Sequence, residues 1–150
     1  MYVDPRGPRF GAAITTAVLA VVLVLGNDTA SGWLLTAQAA VFATGAFAGL
    51  RYAAYGLIYR VAIQPRLGPP AELEAETPPR FAQGVGLAFA VVGAVGYLTG
   101  VTVLGVVATA AALAAAFLNA FFGFCLGCEV YLLARRVIHT SKPTSKGVTA

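Results

Sequence analysis

The feature that most constrains this chain is a set of long stretches without a charged side chain. One runs from Gly11 to Leu25 and another from Phe81 to Thr99. The second stretch, and the first when it is counted from Pro8, approach the ~20 residues that an α-helix needs to cross a hydrocarbon core about 30 Å thick. Hydrophobic residues make up 59% of the 150 residues, and charged residues make up 11%. A globule this small has too little interior to bury that much apolar surface, so the sequence predicts a membrane protein.

The fold class predicted is all-α, a polytopic four-transmembrane-helix bundle. The second and fourth apolar stretches are longer than the bilayer is thick, at 1.5 Å per residue, so their last turns are expected to leave the hydrocarbon. Five prolines in residues 64–80 prevent a continuous helix there. The polar residues 140–150 predict a flexible cytoplasmic tail after the membrane domain 1–139. The four spans cover about residues 8–26, 33–60, 81–99 and 104–134.

An internal repeat relates the two halves of the chain. The tripeptide Pro8-Arg9-Phe10 recurs as Pro79-Arg80-Phe81, an offset of 71 residues, and the same offset places Gly56 on Gly127. In each half a shorter span precedes a longer one. Because two spans preserve orientation, the halves are predicted to be helical hairpins that form a parallel repeat.

The basic residues predict the orientation. Nine of the ten lysines and arginines fall in the N-terminal segment, the central loop or the C-terminal segment, and none falls in the links around Asn27 and Thr99. By the positive-inside rule, both termini and the central loop are cytoplasmic. The same rule accounts for the net charge of +4 without nucleic acid, which is not an expected partner.

Small residues predict how the helices pack. Lipid provides no hydrophobic force between helices, so close backbone contact at small residues must hold them together. Gly45 and Gly49 form a GxxxG pattern on the second span, and Gly123 and Gly127 form another on the fourth. Asn119, in the same apolar run, is expected to hydrogen-bond across helices.

Cys125 and Cys128 are the two cysteines, in a CxxC pattern within the fourth span. On a helix they lie about 60° apart, close enough to bond with a modest backbone adjustment. This spacing is typical of dithiol redox centres and of half a zinc site. The alternative is that both cysteines are buried as small apolar residues.

Charged neighbours could tune the thiols. Glu129 and the C-terminal half of a helix disfavour a thiolate, whereas Arg51, at a similar predicted depth, could offset them as the partner of Glu129 in an ion pair. A zinc site would be incomplete, because His139 is the sole histidine and a second chain or a partner would have to add ligands. Tyr52, Tyr55 and Tyr59 form a stripe that is typical of an aromatic belt and packing, or alternatively of a surface on which a quinone stacks.

The opening Asp4-Pro-Arg-Gly-Pro-Arg-Phe10, the segment Pro78-Pro-Arg-Phe-Ala-Gln83 and the motif from Asn119 to Tyr131 resemble domain of unknown function 4395. This is a family of small bacterial membrane proteins. The resemblance implies a bacterial plasma membrane location and implies that Cys125 and Cys128 belong to the family pattern. It supplies no established activity. Members are often associated with thioredoxin-like and sulfurtransferase proteins.

The leading functional expectation is a cytoplasmic-facing CxxC site that handles thiol redox or sulfur transfer with a soluble thioredoxin-like or sulfurtransferase-like partner. Cys125 and Cys128 would be the reactive pair, tuned by Glu129 and Arg51. One alternative is a non-catalytic accessory subunit of a larger membrane complex. Another is a small-solute transporter, which four spans could form only as a homo-oligomer.

Overall fold

Most of the chain is helical, as its apolar runs predict. The computed structural model describes residues 2–26, 29–70 and 72–140, the last two without their side chains. In chain order the elements are β1 (Tyr2–Val3), α1 (Arg6–Leu25), α2 (Thr29–Ala43), α3 (Ala54–Ile58), α4 (Gln64–Leu67), β2 (Glu74–Ala75), α5 (Thr77–Leu98), α6 (Thr102–Phe122) and α7 (Leu126–Thr140). Three of these, α1, α5 and α6, are long and apolar enough to cross a membrane. The expected helical, membrane-compatible architecture is confirmed at this level.

Four helices pack in a ring that places the core between them. α1 contacts α2 and α6, and α5 contacts the same two helices from the opposite side. Leu19 and Val22 of α1, Leu35 of α2 and Tyr97 of α5 are buried together at the end of the ring away from the chain termini. Gly93 permits the approach of α2, since a methyl group built on it would lie 2.9 Å from Cδ1 of Leu35. Small residues therefore bring the helices close, as expected for packing in lipid.

The expectation of continuous helices across residues 33–60 and 104–134 is wrong, because each is broken at a glycine. α2 passes into a π-helical turn, Thr44–Ala48, which ends at Gly49 with φ +107°. α6 ends at Gly123, which has φ +68°. The N–H of Gly123 donates to the carbonyl oxygen of Asn119 at 3.1 Å. Positive φ has no steric cost in glycine, which is why helices end there.

In each GxxxG pattern, one glycine packs against another helix and the other ends its own helix. Gly45 is buried against the side chain of Gln83 on α5. Gly127 lies against the backbone of Ala82, also on α5, where a methyl group would approach Cα of that residue to 2.7 Å. Gly49 and Gly123 instead end the two helices, so each pattern contributes one interhelical contact and one break.

Equivalent contacts in the two halves support the sequence repeat. The short helix after each break packs on the first turns of the long helix that opens its own half, α3 on α1 and α7 on α5. Phe10 and Tyr59 pack with ring centroids 5.8 Å apart and planes inclined by 44°. Phe81 and Tyr131 pack in nearly the same way, at 5.6 Å and 45°. The repeated Pro-Arg-Phe therefore marks the same structural position twice.

Candidate functional site

A disulfide joins Cys125 and Cys128 at the beginning of α7, with their Cα atoms 5.2 Å apart. Cys125 directly precedes the helix, and it caps the first turn. Its Sγ accepts the Cys128 N–H at 3.3 Å, and its carbonyl oxygen accepts the Glu129 N–H at 3.0 Å. The sulfur thereby takes the place that a serine or aspartate oxygen usually holds at a helix N-terminus.

This position changes the electrostatics that the sequence predicts for the thiols. The expected site in the C-terminal half of a long helix is wrong, because the break at Gly123 starts a new helix at Leu126. The N-terminal end of a helix carries partial positive charge and favours a thiolate. Both cysteines are partly exposed. The disulfide therefore lies where the reduced pair would be activated and open to attack.

The arginine at the break that precedes this disulfide is Arg9, from the first half of the chain. A methyl group built on Gly123 would lie 3.5 Å from Cζ and 3.7 Å from Nη1 of Arg9. Arg9 thus brings a guanidinium to the break that precedes Cys125. Sequence reasoning overlooked it, although its equivalence to Arg80 in the repeat was a signal.

Arg80 has the same role at the other break. Its guanidinium donates to the carbonyl oxygens of Ala46 and Phe47, in each case at 3.0 Å from Nη2. These are among the last carbonyls of the helical run that starts with α2, and they have no partner within the helix. Each repeated arginine therefore lies at the helix end of the opposite half.

The predicted ion pair between Arg51 and Glu129 is not formed. Arg51 donates to the hydroxyl of Tyr52 at 2.7 Å and lies 4.6 Å above the centroid of that ring. Glu129 is exposed in the first turn of α7, where an acidic side chain favours the helix N-terminus. The ion pair was predicted for two continuous helices, whereas Arg51 follows the break at Gly49 and Glu129 lies on a new helix after the break at Gly123. Among the described residues, the one ion pair joins Arg6 and Asp4 at 3.0 Å.

Two other expectations also differ from the structure. The side chain of Asn119 makes no hydrogen bond within the described part of the chain, and only its carbonyl oxygen contributes, at the end of α6. The three tyrosines do not form one surface. Tyr52 is 58% exposed, whereas Tyr59 is 3% exposed. Tyr55 donates to Oε1 of Gln38 at 2.7 Å, inside the bundle. A common stacking surface for a ring ligand is therefore absent at these tyrosines.

Glu76 is a buried carboxylate that sequence reasoning missed. Its place in the acidic alternation Glu72, Glu74, Glu76 predicts a solvated side chain, yet it is 5% exposed. Oε1 accepts the N–H of Leu50 at 3.0 Å, directly after the break at Gly49. β1 and β2 pair antiparallel and hold the preceding loop against the N-terminus, which turns Glu76 inward. The signal in the sequence was its position immediately before Thr77-Pro-Pro, the first turn of α5.

Glu76 lines two cavities of about 640 Å³ each. Arg51, Tyr59 and Asp4 line one cavity together with the N-terminal segment. Arg80 and Tyr131 line the other. The first cavity belongs to the break in the first half, and the second lies beside α7. The carboxylate therefore lies at the break after Gly49 and borders both cavities.

Asp4 holds the start of α1 in place. Its carboxylate accepts from the Arg6 backbone N–H at 2.9 Å, from the Arg6 guanidinium and from the Tyr59 hydroxyl at 2.9 Å. Partial burial acts to raise the pKa of Asp4, but the hydrogen bonds from Arg6 and Tyr59 and the charge of Arg6 outweigh it and lower the pKa below its ordinary 3.8. Asp4 therefore remains ionised at neutral pH.

The sequence profile of one protein family, described as Domain of unknown function (DUF4395), matches residues 3–136. The chain belongs to the DUF4395 family. The matched region includes every element from α1 to the break before α7 and most of α7 itself. No curated protein and no solved structure is significantly similar to the chain. Membership in DUF4395 therefore establishes the family without an activity, and the function has to be argued from the site.

Metal ligands do not gather at the disulfide of this DUF4395 chain. Among the described side chains, no group of three or more His, Cys, Asp or Glu residues lies together. The side chain of His139, the histidine considered for zinc, falls outside the described residues, as does the expected tail beyond residue 140. The site that the described residues define consists of a disulfide, a helix N-terminus and the neighbouring Arg9.

Proposed function

We propose that this DUF4395 protein crosses the bacterial plasma membrane four times, with both termini and the disulfide on the cytoplasmic side. α2 supplies the fourth span, since its 15 α-helical residues continue into five π-helical ones and together match the ~20 needed. The arginines of α1, α4, α5 and α7, together with Arg51 and Arg60, lie at the end of the helical ring that holds the breaks. The links at the other end carry no lysine or arginine. This bias supports a cytoplasmic disulfide.

The function that this geometry supports best is thiol–disulfide exchange with a soluble dithiol protein of the thioredoxin kind. A partner thiolate attacks Sγ of Cys125, the S–S bond breaks, and Cys128 leaves as a thiolate that takes up a proton. The partner's second thiol then loses its proton and attacks the mixed disulfide, and Cys125 leaves. Two electrons and two protons pass from the partner's dithiol to the protein, and the partner becomes a disulfide.

The observation that carries this proposal is the Cys125 sulfur at the N-terminus of α7, where the Cys128 amide donates to it. Leaving-group ability in exchange rises as a thiolate is stabilised. The helix N-terminus and the nearby guanidinium of Arg9 both stabilise a Cys125 thiolate. Cys125 is therefore the sulfur that forms and releases the mixed disulfide, and Cys128 is the resolving cysteine.

The reduced pair also suits sulfur transfer from a sulfurtransferase-like partner. The Cys125 thiolate would take the terminal sulfur of a partner persulfide, whose own cysteine leaves as a thiolate. Cys128 would then displace that sulfur as hydrosulfide, and the disulfide would form again. This route uses the same two sulfurs in the same roles, and the reduction of the disulfide would restart it.

The experiment uses the purified full chain in lipid nanodiscs and a thioredoxin that retains only its attacking cysteine. The expected product is a mixed disulfide, which peptide mass spectrometry should map to Cys125. A mixed disulfide on Cys128 would overturn the assignment of roles. In parallel, the reduced protein is incubated with a persulfide-loaded sulfurtransferase, and hydrosulfide release is measured. A double serine variant of Cys125 and Cys128 is the control. If neither the mixed disulfide nor hydrosulfide forms above the level of this control, the proposed function is overturned.

A further inference from the structure

α7 contacts the rest of the described chain at its beginning and then leaves the bundle. Gly127 lies against Ala82, and the Tyr131 ring packs on the Phe81 ring. From Leu132 to Ile138 every residue is exposed. The second half of α7 therefore presents its side chains to the surroundings of the protein.

The level at which α7 leaves the bundle is set by two candidate spans. Three residues separate its first residue from Phe122, the end of α6, and its contacts Phe81 and Ala82 lie in the first two turns of α5. Both α5 and α6 are long and apolar enough to cross a membrane. The ends of spanning helices lie where hydrocarbon meets headgroups. α7 is therefore attached at the depth of the bilayer interface.

α7 carries an apolar row along one side, with Glu129 at its edge, about 40° from Leu133. Leu126, Val130 and Leu133 recur at intervals of four and three residues and form one row, in which Val130 is 55% and Leu133 is 62% exposed. At about 100° per residue, Cys128 and Arg135 lie roughly on the opposite side, only about 20° from each other. A helix with an apolar row and an arginine-bearing opposite face is suited to lie in the plane of a membrane interface.

We propose that α7 lies in the plane of the inner-leaflet interface, with the row Leu126, Val130 and Leu133 in the acyl chains and with Cys128 and Arg135 facing the cytosol. We assign lipid as the occupant of the row because α7 is attached at the ends of two candidate spans, α5 and α6. Lipid surrounds the protein at that depth. On that cytosolic face Arg135 lies at the level of the headgroups, where its guanidinium can pair with lipid phosphate groups, as basic residues on such helices do.

The first half of the chain shows the same arrangement independently. α3 follows the break at Gly49 and packs on the first turns of α1, where Tyr55 lies against Gly11. The residues that it and the π-helical turn Tyr59–Ile63 leave exposed include Leu57 at 49% and Val61 at 70%, one helical turn apart. The repeat thus provides one in-plane segment per half, and only the second carries thiols.

The inference uses the membrane placement proposed above but not the thiol chemistry. It adds that the disulfide is presented to water on the face of α7 opposite the lipid, which is the face that a soluble partner can reach.

The test uses single-tryptophan proteins, made in a Trp33→Phe background because Trp33 is the sole tryptophan. Leu133→Trp reports on the apolar row, and its neighbour Leu132→Trp, about 100° away and also exposed, is the matched control. The proteins are reconstituted in vesicles of brominated phosphatidylcholine and phosphatidylglycerol. We expect bromine to quench Leu133→Trp several-fold more than Leu132→Trp, and aqueous acrylamide to show the reverse order.

Equal quenching of the two tryptophans by acrylamide, or stronger bromine quenching of Leu132→Trp, would overturn the in-plane placement of α7. Both outcomes leave thiol exchange as a separate question, because mixed-disulfide formation is measured without lipid quenching. Conversely, the expected quenching without any mixed disulfide would retain the in-plane helix and reject the exchange function. Val130→Trp is a second variant on the same row, should Leu133→Trp fail to fold.

Discussion

Replacement of Glu76 with alanine tests most sharply how the fold closes the end of α2. Oε1 of Glu76 accepts the Leu50 N–H at 3.0 Å, and Leu50 is itself only 8% exposed. Removal of the carboxylate leaves that N–H without its acceptor in a place that water reaches poorly. A hydrogen bond to a charged group contributes about 1.5–3 kcal/mol, and an unsatisfied buried donor costs a similar amount. We therefore expect Glu76→Ala to lower the free energy of unfolding by about 1.5–3 kcal/mol.

Two further variants separate the hydrogen bond from the negative charge and from the surrounding loop. Glu76→Gln keeps an oxygen that can accept the Leu50 N–H, but a neutral acceptor is roughly half as strong as a charged one, so its loss should be about half that of Glu76→Ala. Glu74→Ala removes an exposed carboxylate two residues away and should change stability by less than about 0.5 kcal/mol.

The free energy of unfolding is measured by circular dichroism as denaturing detergent is added to mixed micelles of the full chain. The expected order of stability is wild type and Glu74→Ala together, then Glu76→Gln, then Glu76→Ala. Glu76 does not stabilise the fold through Leu50 if Glu76→Ala unfolds at the same detergent fraction as the wild type, or if Glu74→Ala loses as much stability as Glu76→Ala.

Three other predictions follow from single contacts. Gly127→Ala should lower unfolding stability by about 1–3 kcal/mol, since its methyl group would meet Cα of Ala82 at 2.7 Å, whereas Gly84→Ala on α5 meets nothing within 4 Å and should be neutral or stabilising. Asp4→Asn should be less stable than the wild type at neutral pH. Because the pKa of Asp4 in the folded protein lies below 3.8, the difference in unfolding free energy should shrink below pH 3.8 and vanish once the pH passes the folded pKa. Unfolding measured as a function of pH checks this. Arg9→Gln should slow alkylation of the reduced thiols about 2- to 5-fold at fixed pH, and an unchanged rate would argue against its role.

Local patterns in the sequence were sufficient for the long helices. α1 and α5 occupy the charge-free stretches because hydropathy and length act on each segment by itself. The recurrence of Pro-Arg-Phe could be recognised for the same reason, since each copy lies in the first turns of a long helix. These features depend on composition and spacing along the chain, and no long-range contact is needed to read them.

The breaks at Gly49 and Gly123 could not be predicted from the same patterns. A glycine in an alanine-rich run can either pack against another helix or end its own helix. Here the contacts that favour a helix end come from residues distant in the sequence. The Leu50 amide is satisfied by Glu76, and Arg9 lies against Gly123. One local signal was present, since Glu129 is an acid in the first turn of a new helix.

The sequence therefore indicated that Cys125 and Cys128 could bond to each other, but not where in the fold the pair lies. Cys125 and Cys128 are joined as their spacing allows, yet they begin a helix. The choice of Arg51 as the neighbouring cation assumed that equal depth along two straight helices brings side chains together. With both helices broken, Arg51 contacts Tyr52. Arg9, which like Arg51 belongs to the first half, lies beside the break that precedes Cys125.

If a membrane-embedded bundle presents a reducible disulfide to the cytosol, Cys125 and Cys128 should react with a membrane-impermeant maleimide from that side alone. The labelling follows treatment with a membrane-permeant reductant, in inverted and in right-side-out vesicles. We expect labelling of both cysteines in inverted vesicles only, and none without reductant. Labelling in right-side-out vesicles, or no labelling in either preparation after reduction, would contradict it.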